Sequence, residues 1–413
     1  MKNNSLIERI IPSDLYTNHH INLSGTILIC HLHCIPSIVQ FFEHLLQKGL
    51  SRERIIFIPK PYSTIPHTLD QLRAMGICIA ETNVNLISGQ YDECCLPLLI
   101  DGISQGIYLI KCRRDRSRKL SVTLVDDGGL LTRAWCDYVT SRDITIDEKV
   151  VSIQQTRSGM YSEIIGATDG VVKIDMGRCY AKRAFEPEVI AESIIRKVES
   201  MRLFAAKPRV GVVGVGAIGA TLALALKNKG LDVYLFDSAG IKEPVPGAHV
   251  CRSSNQCLEY SDLIFGCVGR PWIDETSLLN SSGELISCSS RDAEYNPILQ
   301  KCTKTAGHHI NPFSDISIEA GGGWVIRNGG FPINFDREHE WEDLEGITLT
   351  RALLVASVVL ASSTNFESGS DVVSIPFDLQ KEIVSRWINL VRVNSKEKFL
   401  SRYQQQRNLR PLP

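Results

Sequence analysis

A glycine-rich segment in the second half of the chain has the spacing that binds the phosphates of a dinucleotide. It reads Gly214-Val215-Gly216-Ala217-Ile218-Gly219, after the apolar run RVGVV and before a helical pattern. In this motif the first glycine permits a tight turn, the second lets the backbone approach a pyrophosphate, and the third lets the helix pack on the strand. The next strand ends in Asp237, about 20 residues on, where an acid binds a ribose hydroxyl and repels a 2′-phosphate. The pattern predicts an NAD site, with Gly214, Gly216, Ala217, Ile218, Gly219 and Asp237 as cofactor-binding residues. A glycine-rich turn without a ligand, a flavin site and an S-adenosylmethionine site stay open as alternatives.

Four ionisable residues in the first half of the chain could move protons. His33 ends an apolar strand, Asp127 follows another, and Lys182 precedes Glu186 by four residues. A histidine titrates near neutrality, and a desolvated lysine beside a carboxylate can be tuned toward the same range. These residues also have structural interpretations. His33 could be a core histidine, Asp127 could belong to a turn in which the acid bonds its own backbone, and Lys182 with Glu186 could be an exposed helical ion pair.

Cysteine and histidine are clustered in the segment CHLHC, residues 30–34. The segment begins as a buried strand, in which alternate side chains point to opposite faces, and no second pair follows at zinc-finger spacing. We therefore predict no metal site. The 13 cysteines of the chain are interpreted as reduced thiols.

Alternating strand and helix patterns must position these residues. Residues 26–120 alternate apolar runs such as TILICHLH and RIIFIP with amphipathic stretches, and the same alternation returns from RVGVVGVG onward. Such alternation predicts α/β domains with parallel sheets. We expect a substrate domain over residues 1–188, completed by helices in residues 347–413, and a Rossmann domain over residues 189–346. Residues 140–175, within the substrate domain, suggest a polar hairpin-like stretch.

The bulk composition is that of an ordinary soluble protein. The 413 residues carry 45 Lys and Arg against 46 Asp and Glu, a net charge of −1, which argues against nucleic acid as a partner. The pattern of a signal peptide is absent, and no apolar run suggests a membrane span. We expect a cytoplasmic protein with a small-molecule substrate.

Several segments, in the same order along the chain, resemble S-adenosylhomocysteine hydrolases (adenosylhomocysteinases). The segment DDGGLLT, residues 126–132, resembles the family's DDGGDLT, and CHLHCIPSIVQFFEHL is similar to its first strand and helix. QQTRSGM, CYAKRAFEP, SSRDAEYN and GGFPINF resemble further family segments, and GVGAIGA falls where the family's dinucleotide loop falls. The resemblance covers residues 26–360.

This resemblance implies a nucleoside hydrolase of one-carbon metabolism with a bound NAD that transiently oxidises the 3′-hydroxyl. His33 and Asp127 would then handle the C4′ proton and the 5′-leaving group, while Lys182 and Glu186 would assist removal of the 3′ proton. The cofactor would be contacted from the first domain by Thr156, Arg157 and Ser158, and its carboxamide by Asn334. The family also implies a homo-oligomer, a dimer or a tetramer.

The departures from the family cluster at the substrate. Ile35 and Ser37 replace the Thr and Glu that read adenine. The substrate-binding positions carry Gln155 for a Glu and Ser290 for a His, with His339 aligned loosely to another His, and the family's C-terminal tail has no counterpart in QQQRNLRPLP. We therefore expect a divergent nucleoside substrate, and loss of the His at Ser290 could stop the cycle after elimination, giving a lyase.

Two other classes of function remain as alternatives to the hydrolase. One is a plain NAD-dependent dehydrogenase that releases NADH. Such an enzyme needs an arginine to hold a substrate carboxylate, for which Arg270 is available, and a histidine with a carboxylate partner. The other is a non-catalytic regulator that keeps only the NAD pocket.

Overall fold

The computed structural model describes residues 5–18, 23–112, 120–161, 170–241, 245–278, 281–306, 311–318, 323–362 and 372–391. The strands in this part of the chain are β1 (Thr26–Leu32), β2 (Ile55–Pro59), β3 (Cys78–Ile79), β4 (Ser121–Asp126), β5 (Lys149–Gln154), β6 (Val171–Asp175), β7 (Val210–Val213), β8 (Val233–Phe236), β9 (His249–Val250), β10 (Leu263–Gly266), β11 (Gly283–Ser287), β12 (Ile316–Ile318), β13 (Trp324–Ile326) and β14 (Val372–Val373).

The α-helices in the same ranges are α1 (Leu6–Ile10), α2 (Leu15–Asn18), α3 (Ser37–Gln47), α4 (Pro66–Ala74), α5 (Tyr91–Lys111), α6 (Leu130–Ser141), α7 (Ser158–Tyr161), α8 (Tyr180–Ser200), α9 (Ala217–Asn228), α10 (Ser254–Glu259), α11 (Asn296–Ala306), α12 (Leu344–Ser362) and α13 (Phe377–Ile388).

The chain separates into two compact units, and two of the four boundaries between them fall inside α5 and α8. Unit 1 comprises Met1–Val84, Leu96–Glu186 and Leu344–Pro413, and unit 2 comprises Asn85–Cys95 and Pro187–Asp343. The domain boundaries expected from the sequence gave residues 85–95 to the first domain, whereas the structure places them in unit 2. Gly89 and Asp292 explain this assignment, because the Gly89 N–H donates to the buried Asp292 carboxylate at 2.7 Å.

Unit 1 is built on a seven-stranded parallel sheet in the order β14-β6-β5-β4-β1-β2-β3. Its central strands are mostly apolar, and all seven residues of β1 are buried, as a parallel sheet covered on both faces requires. The strand order reverses direction between β1 and β4. In sheets of this kind ligands bind beyond the carboxyl ends of the strands at that reversal.

Unit 2 repeats this topology in the order β12-β13-β11-β10-β7-β8-β9. Among these strands β12 runs antiparallel to β13, and the remaining pairs are parallel. Leu222, Ala223 and Leu226 of α9 pack on Val210 and Val212 of β7 in one buried cluster. The order reverses between β7 and β10.

The α/β fold class, with a parallel sheet in one part of the chain and a Rossmann unit in the other, is confirmed. The hairpin suggested for residues 140–175 is wrong, because β5 and β6 pair in parallel. That stretch looked like a hairpin because its residues are polar and its strands are short.

Two described helices, α5 and α12, are long and apolar enough to cross a membrane by length and composition, although the sequence suggested no such run. The core helix of a globular protein meets the same criteria. In α12 every residue from Gly346 to Ala361 is buried, so this helix forms part of the core of unit 1.

We expect Leu353→Ala in α12 to lower the free energy of unfolding by about 2–5 kcal/mol, because Leu353 is 0% exposed and its removal leaves a cavity. Leu344→Ala in the same helix is the matched control, since Leu344 is 40% exposed. The measurement is urea denaturation followed by circular dichroism. Equal losses for the two variants would contradict the placement of α12 in the core.

Candidate functional site

The glycine-rich turn of unit 2 lies at the carboxyl end of β7 and leads into α9. Gly214 has a φ of 90°, which favours glycine, and a Cβ there would lie 2.8 Å from the backbone of Cys267. A Cβ on Gly219 would collide with the carbonyl of Gly214, whereas one on Gly216 would meet no atom within 4 Å. The turn is therefore closed on its protein side and open at Gly216, as the backbone approach to a pyrophosphate requires.

Asp237, directly after β8, lies beside this turn. Its Oδ2 accepts a hydrogen bond from the Val215 N–H at 2.7 Å, and its Oδ1 accepts from the Ala239 N–H at 2.8 Å. Ala217 and Ile218 form the first turn of α9, whose first turn carries no acidic residue. The donor set fits an NAD molecule: a helix N-terminus for the pyrophosphate, with a carboxylate at the second strand for the ribose.

A buried carboxylate that sequence reasoning missed, Glu294, supports the neighbouring turn after β10. Its Oε1 accepts from the N–H groups of Val268 and Gly269 at 2.7 and 2.9 Å, and Trp272 Nε1 donates to its Oε2 at 3.2 Å. Burial raises the pKa of Glu294 to about 7. Because Cys267 of this turn contacts Gly214, Glu294 indirectly holds the glycine-rich turn in place. Glu294 is one of two acids in the segment SSRDAEYN, and the sequence did not distinguish it from Asp292.

In unit 1, His33 lies just beyond the carboxyl end of β1. Its Nε2 is 3.1 Å from Oδ2 of Asp127, which follows β4, and its Nδ1 is 2.7 Å from the Ser63 hydroxyl. An ionised Asp127 can only accept a hydrogen bond, so Nε2 carries the hydrogen and Nδ1 accepts from Ser63. The imidazole is therefore held from both sides.

Lys60, which sequence reasoning also missed, completes this cluster from the end of β2. Its ammonium lies 3.4 Å from Oδ1 of Asp127, and both side chains are almost fully buried. The ammonium also lies 3.5 Å from the Tyr62 hydroxyl. Lys60 follows a buried apolar strand, as His33 and Asp127 do, and that shared position was the signal in the sequence.

These contacts set the charges of the cluster. Burial alone would raise the pKa of Asp127, but the charges of Lys60 and His33 hold it well below its usual range. Burial, followed by the charge of Lys60, lowers the pKa of His33 to about 4. At neutral pH the cluster therefore contains a carboxylate anion and an uncharged imidazole.

Lys182 and Glu186 form a second ionic group on α8. The Lys182 ammonium donates to Oε2 of Glu186, and Oε1 of Glu186 accepts from the Thr350 hydroxyl of α12 at 2.9 Å. The Lys182 side chain is 8% exposed, so the pair is not an exposed helical ion pair. The charge of Lys182 also contributes to the lowered pKa of Asp127.

Gln155, predicted to bind substrate, joins the same cluster. Its Nε2 donates to Oδ2 of Asp127 at 3.4 Å. Thr156 and Arg157 follow in the loop after β5, where a Cβ on Gly177 would collide with the Thr156 backbone. Ser158 begins α7, and its side chain lies outside the described part of the structure, as does the C-terminal tail QQQRNLRPLP. The structure thus brings His33, Asp127, Gln155, Lys182 and Glu186 together in unit 1.

The remaining predicted residues lie in unit 2 and are not grouped with one another. The Asn334 Nδ2 donates to Glu342 at 2.8 Å and to the Ser193 hydroxyl at 3.2 Å. Ser290 lies in the loop after β11. The His339 side chain is exposed, and its backbone N–H donates to Asp336.

The side chains of Asp336, Glu338 and His339 come close enough to share a metal ion. However, Oδ2 of Asp336 already accepts from the Lys197 ammonium at 2.8 Å and from the Trp341 indole at 2.7 Å. We therefore interpret this group as a loop held by Asp336.

Comparison with known proteins gives dehydrogenases and a protein of unknown role. No family model matches the chain. An uncharacterized protein of Mycobacterium tuberculosis strains CDC 1551 and H37Rv is 27% identical over 376 residues, 89% of this chain and 71% of that protein. A 2-(hydroxymethyl)glutarate dehydrogenase of Eubacterium barkeri is 32% identical over 85 residues, 20% of this chain and 28% of that enzyme.

Solved structures with a similar fold include two with NAD. The NAD-bound 3-phosphoglycerate dehydrogenase of Entamoeba histolytica matches 84% of this chain and 98% of its own, with a TM-score of 0.41 and 10% identity. The NAD complex of a D-isomer specific 2-hydroxyacid dehydrogenase of Lactobacillus delbrueckii ssp. bulgaricus matches 83% and 99%, with a TM-score of 0.35 and 13% identity. The prediction of an NAD site rests on the turn from Gly214 to Gly219 and on Asp237.

The assignment to the S-adenosylhomocysteine hydrolases is wrong, and with it the prediction of a hydrolase or lyase acting on a nucleoside in one-carbon metabolism. The matched solved structures are 2-hydroxyacid and phosphoglycerate dehydrogenases. The motif DDGG has a structural explanation: Asp126 accepts from the N–H groups of Gly129 and Thr132 and so begins α6, while Gly128 and Gly129 have φ of 109° and 85°. A strand-to-helix turn of this kind serves the fold whatever the substrate is.

The two positions that read adenine in the hydrolase family carry other residues here and cannot make the same contacts. Ile35 is buried and apolar, and the Ser37 hydroxyl accepts two hydrogen bonds from the Arg351 guanidinium. A guanidinium offers only donors, so it could not accept a hydrogen bond from the amino group of adenine.

Lys60→Met tests the electrostatics of the cluster. Removing the ammonium makes protonation of the imidazole less unfavourable, so we expect the pKa of His33 to rise above its value of about 4. The measurement is a pH titration of ¹⁵N-histidine-labelled protein by NMR. Lys381→Met is the control, because Lys381 is exposed on α13 and does not contact this cluster. An unchanged titration of His33 in Lys60→Met would contradict the arrangement.

Proposed function

We propose that the protein is an NAD-dependent dehydrogenase, which transfers a hydride between the cofactor and a small hydroxy or keto compound. The observation that carries the proposal is the glycine-rich turn at the reversal of the unit 2 sheet, open at Gly216 and flanked by Asp237. The sequence match to 2-(hydroxymethyl)glutarate dehydrogenase supports the reaction class.

The residues that would hold NAD are those of this turn and of the strand beside it. The N-terminus of α9 and the backbone at Gly216 would receive the pyrophosphate, and Asp237 a ribose hydroxyl. When bound, NAD supplies the hydride acceptor of the oxidation. The carboxylate of Asp237 disfavours the 2′-phosphate of NADP.

His33 would exchange the proton that accompanies hydride transfer. Its Nδ1 carries no hydrogen and accepts from the Ser63 hydroxyl at 2.7 Å, so a substrate hydroxyl would give its proton to Ser63 Oγ while Ser63 passes its own proton to Nδ1. Asp127, fixed on Nε2 at 3.1 Å, would stabilise the imidazolium formed. A histidine with a carboxylate partner is the feature that a dehydrogenase needs and that the sequence did not reveal.

Lys60 and Lys182 would favour negative charge on the reacting oxygen. Both side chains are buried. The Lys60 ammonium contacts Asp127 directly, and the charge of Lys182 acts on Asp127 through space. Preorganised positive groups in a buried site stabilise charge that develops during the reaction.

The test is NADH formation, followed by its absorbance, when the purified protein is incubated with NAD and a panel of small alcohols. The panel contains 2-hydroxy acids, 3-hydroxy acids and secondary alcohols without a carboxylate. We expect NADH to accumulate over many turnovers with at least one hydroxy acid. Bound NAD without NADH formation from any compound would instead support a non-catalytic NAD-binding regulator.

Once a substrate is found, we expect His33→Asn to lower kcat/KM by about 10²–10⁴-fold, because the proton acceptor is lost. We expect the dissociation constant for NAD to stay unchanged, because the proposed cofactor contacts at Gly216 and Asp237 are left intact. His67→Asn, on the exposed side of α4, is the control. Full activity of His33→Asn would rule out this role.

A further inference from the structure

The carboxyl group of Glu294 is buried in unit 2 and takes no part in the proposed proton transfer. Its side chain is 0% exposed, yet it accepts four hydrogen bonds. The N–H groups of Val268 and Gly269 and the hydroxyl of Ser289 donate to Oε1, and the indole N–H of Trp272 donates to Oε2. All four donors are neutral groups. Hydrogen bonds therefore compensate for the burial of this carboxylate.

The last residue of β10 leaves the space that the carboxylate occupies. This residue is Gly266, and a Cβ on it would collide with Oε2 of Glu294. A glycine at the end of β10 therefore lets Glu294 reach the backbone of the turn that follows the strand, residues 267–269.

Two glycines of the dinucleotide turn pack against the turn that Glu294 holds. A Cβ on Gly214 would lie 2.8 Å from the backbone of Cys267 and 3.0 Å from the side chain of Val268. A Cβ on Gly219, in the first turn of α9, would lie 3.3 Å from the Cβ of Cys267. Closely packed atoms transmit small displacements. A shift of residues 267–269 would therefore move the backbone that is proposed to receive the pyrophosphate.

Protonation of Glu294 would weaken its hold on this turn. Burial raises the pKa of Glu294 to about 7. A carboxylate only accepts hydrogen bonds, whereas a carboxylic acid carries an O–H that needs an acceptor of its own. Hydrogen bonds to an ionised group are also roughly twice as strong as those between neutral groups. The turn is therefore held more firmly above pH 7 than below it.

We propose that Glu294 is a positioning residue of the NAD site, and that its ionised carboxylate holds residues 267–269 in the conformation that binds NAD most tightly. This inference rests on the NAD site of the proposed dehydrogenase and is independent of the substrate. The affinity for NAD then falls as the pH is lowered through 7. Because such coupling is reciprocal, bound NAD also favours the ionised form of Glu294.

A direct action of the Glu294 charge on NAD would have the opposite effect. The pyrophosphate of NAD is an anion, so a carboxylate that acted on it only through its charge would weaken binding. NAD would then bind more tightly at low pH. The direction of the pH dependence therefore distinguishes positioning of the turn from simple repulsion.

Three titratable side chains and one arginine lie around Glu294. Burial holds the pKa values of the Cys288 thiol and the Tyr295 hydroxyl well above their usual range, so both groups stay uncharged near neutral pH. The thiol of Cys267 forms a hydrogen bond with that of Cys288. Arg270, considered from the sequence as a carboxylate ligand, follows Gly269, is exposed and keeps its charge.

Asp292 is a second carboxyl group that titrates in the same pH range. Burial raises its pKa to about 7, and it accepts a hydrogen bond from the Gly89 N–H at 2.7 Å. Arg291, beside it in the sequence, forms an ion pair with Asp92. Asp292 is therefore the matched control for Glu294, because it is a buried acid of the same loop that holds a different segment.

The first experiment is calorimetric titration of the full chain with NAD at pH 6 and pH 8. We expect the wild-type Kd for NAD to be about 3- to 10-fold higher at pH 6, because charge-assisted hydrogen bonds become neutral ones. Glu294→Gln should bind NAD at both pH values as weakly as the wild type does at pH 6. Asp292→Asn should keep the pH dependence of the wild type. Circular dichroism checks the fold of each variant.

The second experiment follows the ionisation of Glu294 through the fluorescence of Trp272, whose indole donates to Oε2 at 3.2 Å. We expect the emission to change with a midpoint near pH 7 in the wild type and to lose this change in Trp272→Phe and Glu294→Gln. Saturating NAD should lower the midpoint, by about one pH unit if the Kd values of the two ionisation states differ tenfold. The measurement needs only wild-type protein and Trp272→Phe, so it remains decisive if Glu294→Gln does not fold.

Three results would overturn the role of Glu294: an affinity for NAD that is equal at the two pH values, tighter binding at pH 6 that Glu294→Gln abolishes, or a Trp272 midpoint that NAD does not lower. Each of them would leave the proposed dehydrogenase standing, because NAD would still bind. Failure to bind NAD at either pH would instead overturn the NAD site and this inference together.

Discussion

Parallel hydrogen bonding between β1 and β4 determines which side chains unit 1 brings together. His31 pairs with Asp126, and the Asp127 N–H donates to the His31 carbonyl at 3.2 Å. The chain leaves both strands at the same edge of the sheet, so His33 and Asp127 meet although they are 94 positions apart in the sequence. Unit 2 follows the same rule, because β7 and β10 end together and the Cys267 backbone packs against Gly214.

Burial then determines the protonation states of His33 and Asp127. Asp127 is a buried anion stabilised by Lys60 and by the imidazole N–H of His33, while His33 itself stays neutral near pH 7. Removing one member of such a group leaves an uncompensated charge, which is costly in a buried place.

The sequence predicted the features that are set by residues close together in the chain. It missed the features that depend on contacts between residues far apart in the chain. The turn from Gly214 to Gly219 and the acid at Asp237 belong to one strand-helix-strand unit, so their spacing alone was informative. Lys60 and Arg351 gave only a weak signal, a charge at the end or in the middle of an apolar run, because their partners lie far away in the chain. The DDGG segment misled for the opposite reason: its residues serve the turn before α6, and a shared fold can produce that pattern in proteins with different substrates.

Equilibrium titration of the full chain with NAD and with NADP, followed by calorimetry, measures whether the glycine-rich turn of unit 2 binds NAD. We predict saturable binding of NAD and at least about tenfold weaker binding of NADP, because the Asp237 carboxylate repels the 2′-phosphate. Binding of neither nucleotide, or equal binding of both, would contradict the account.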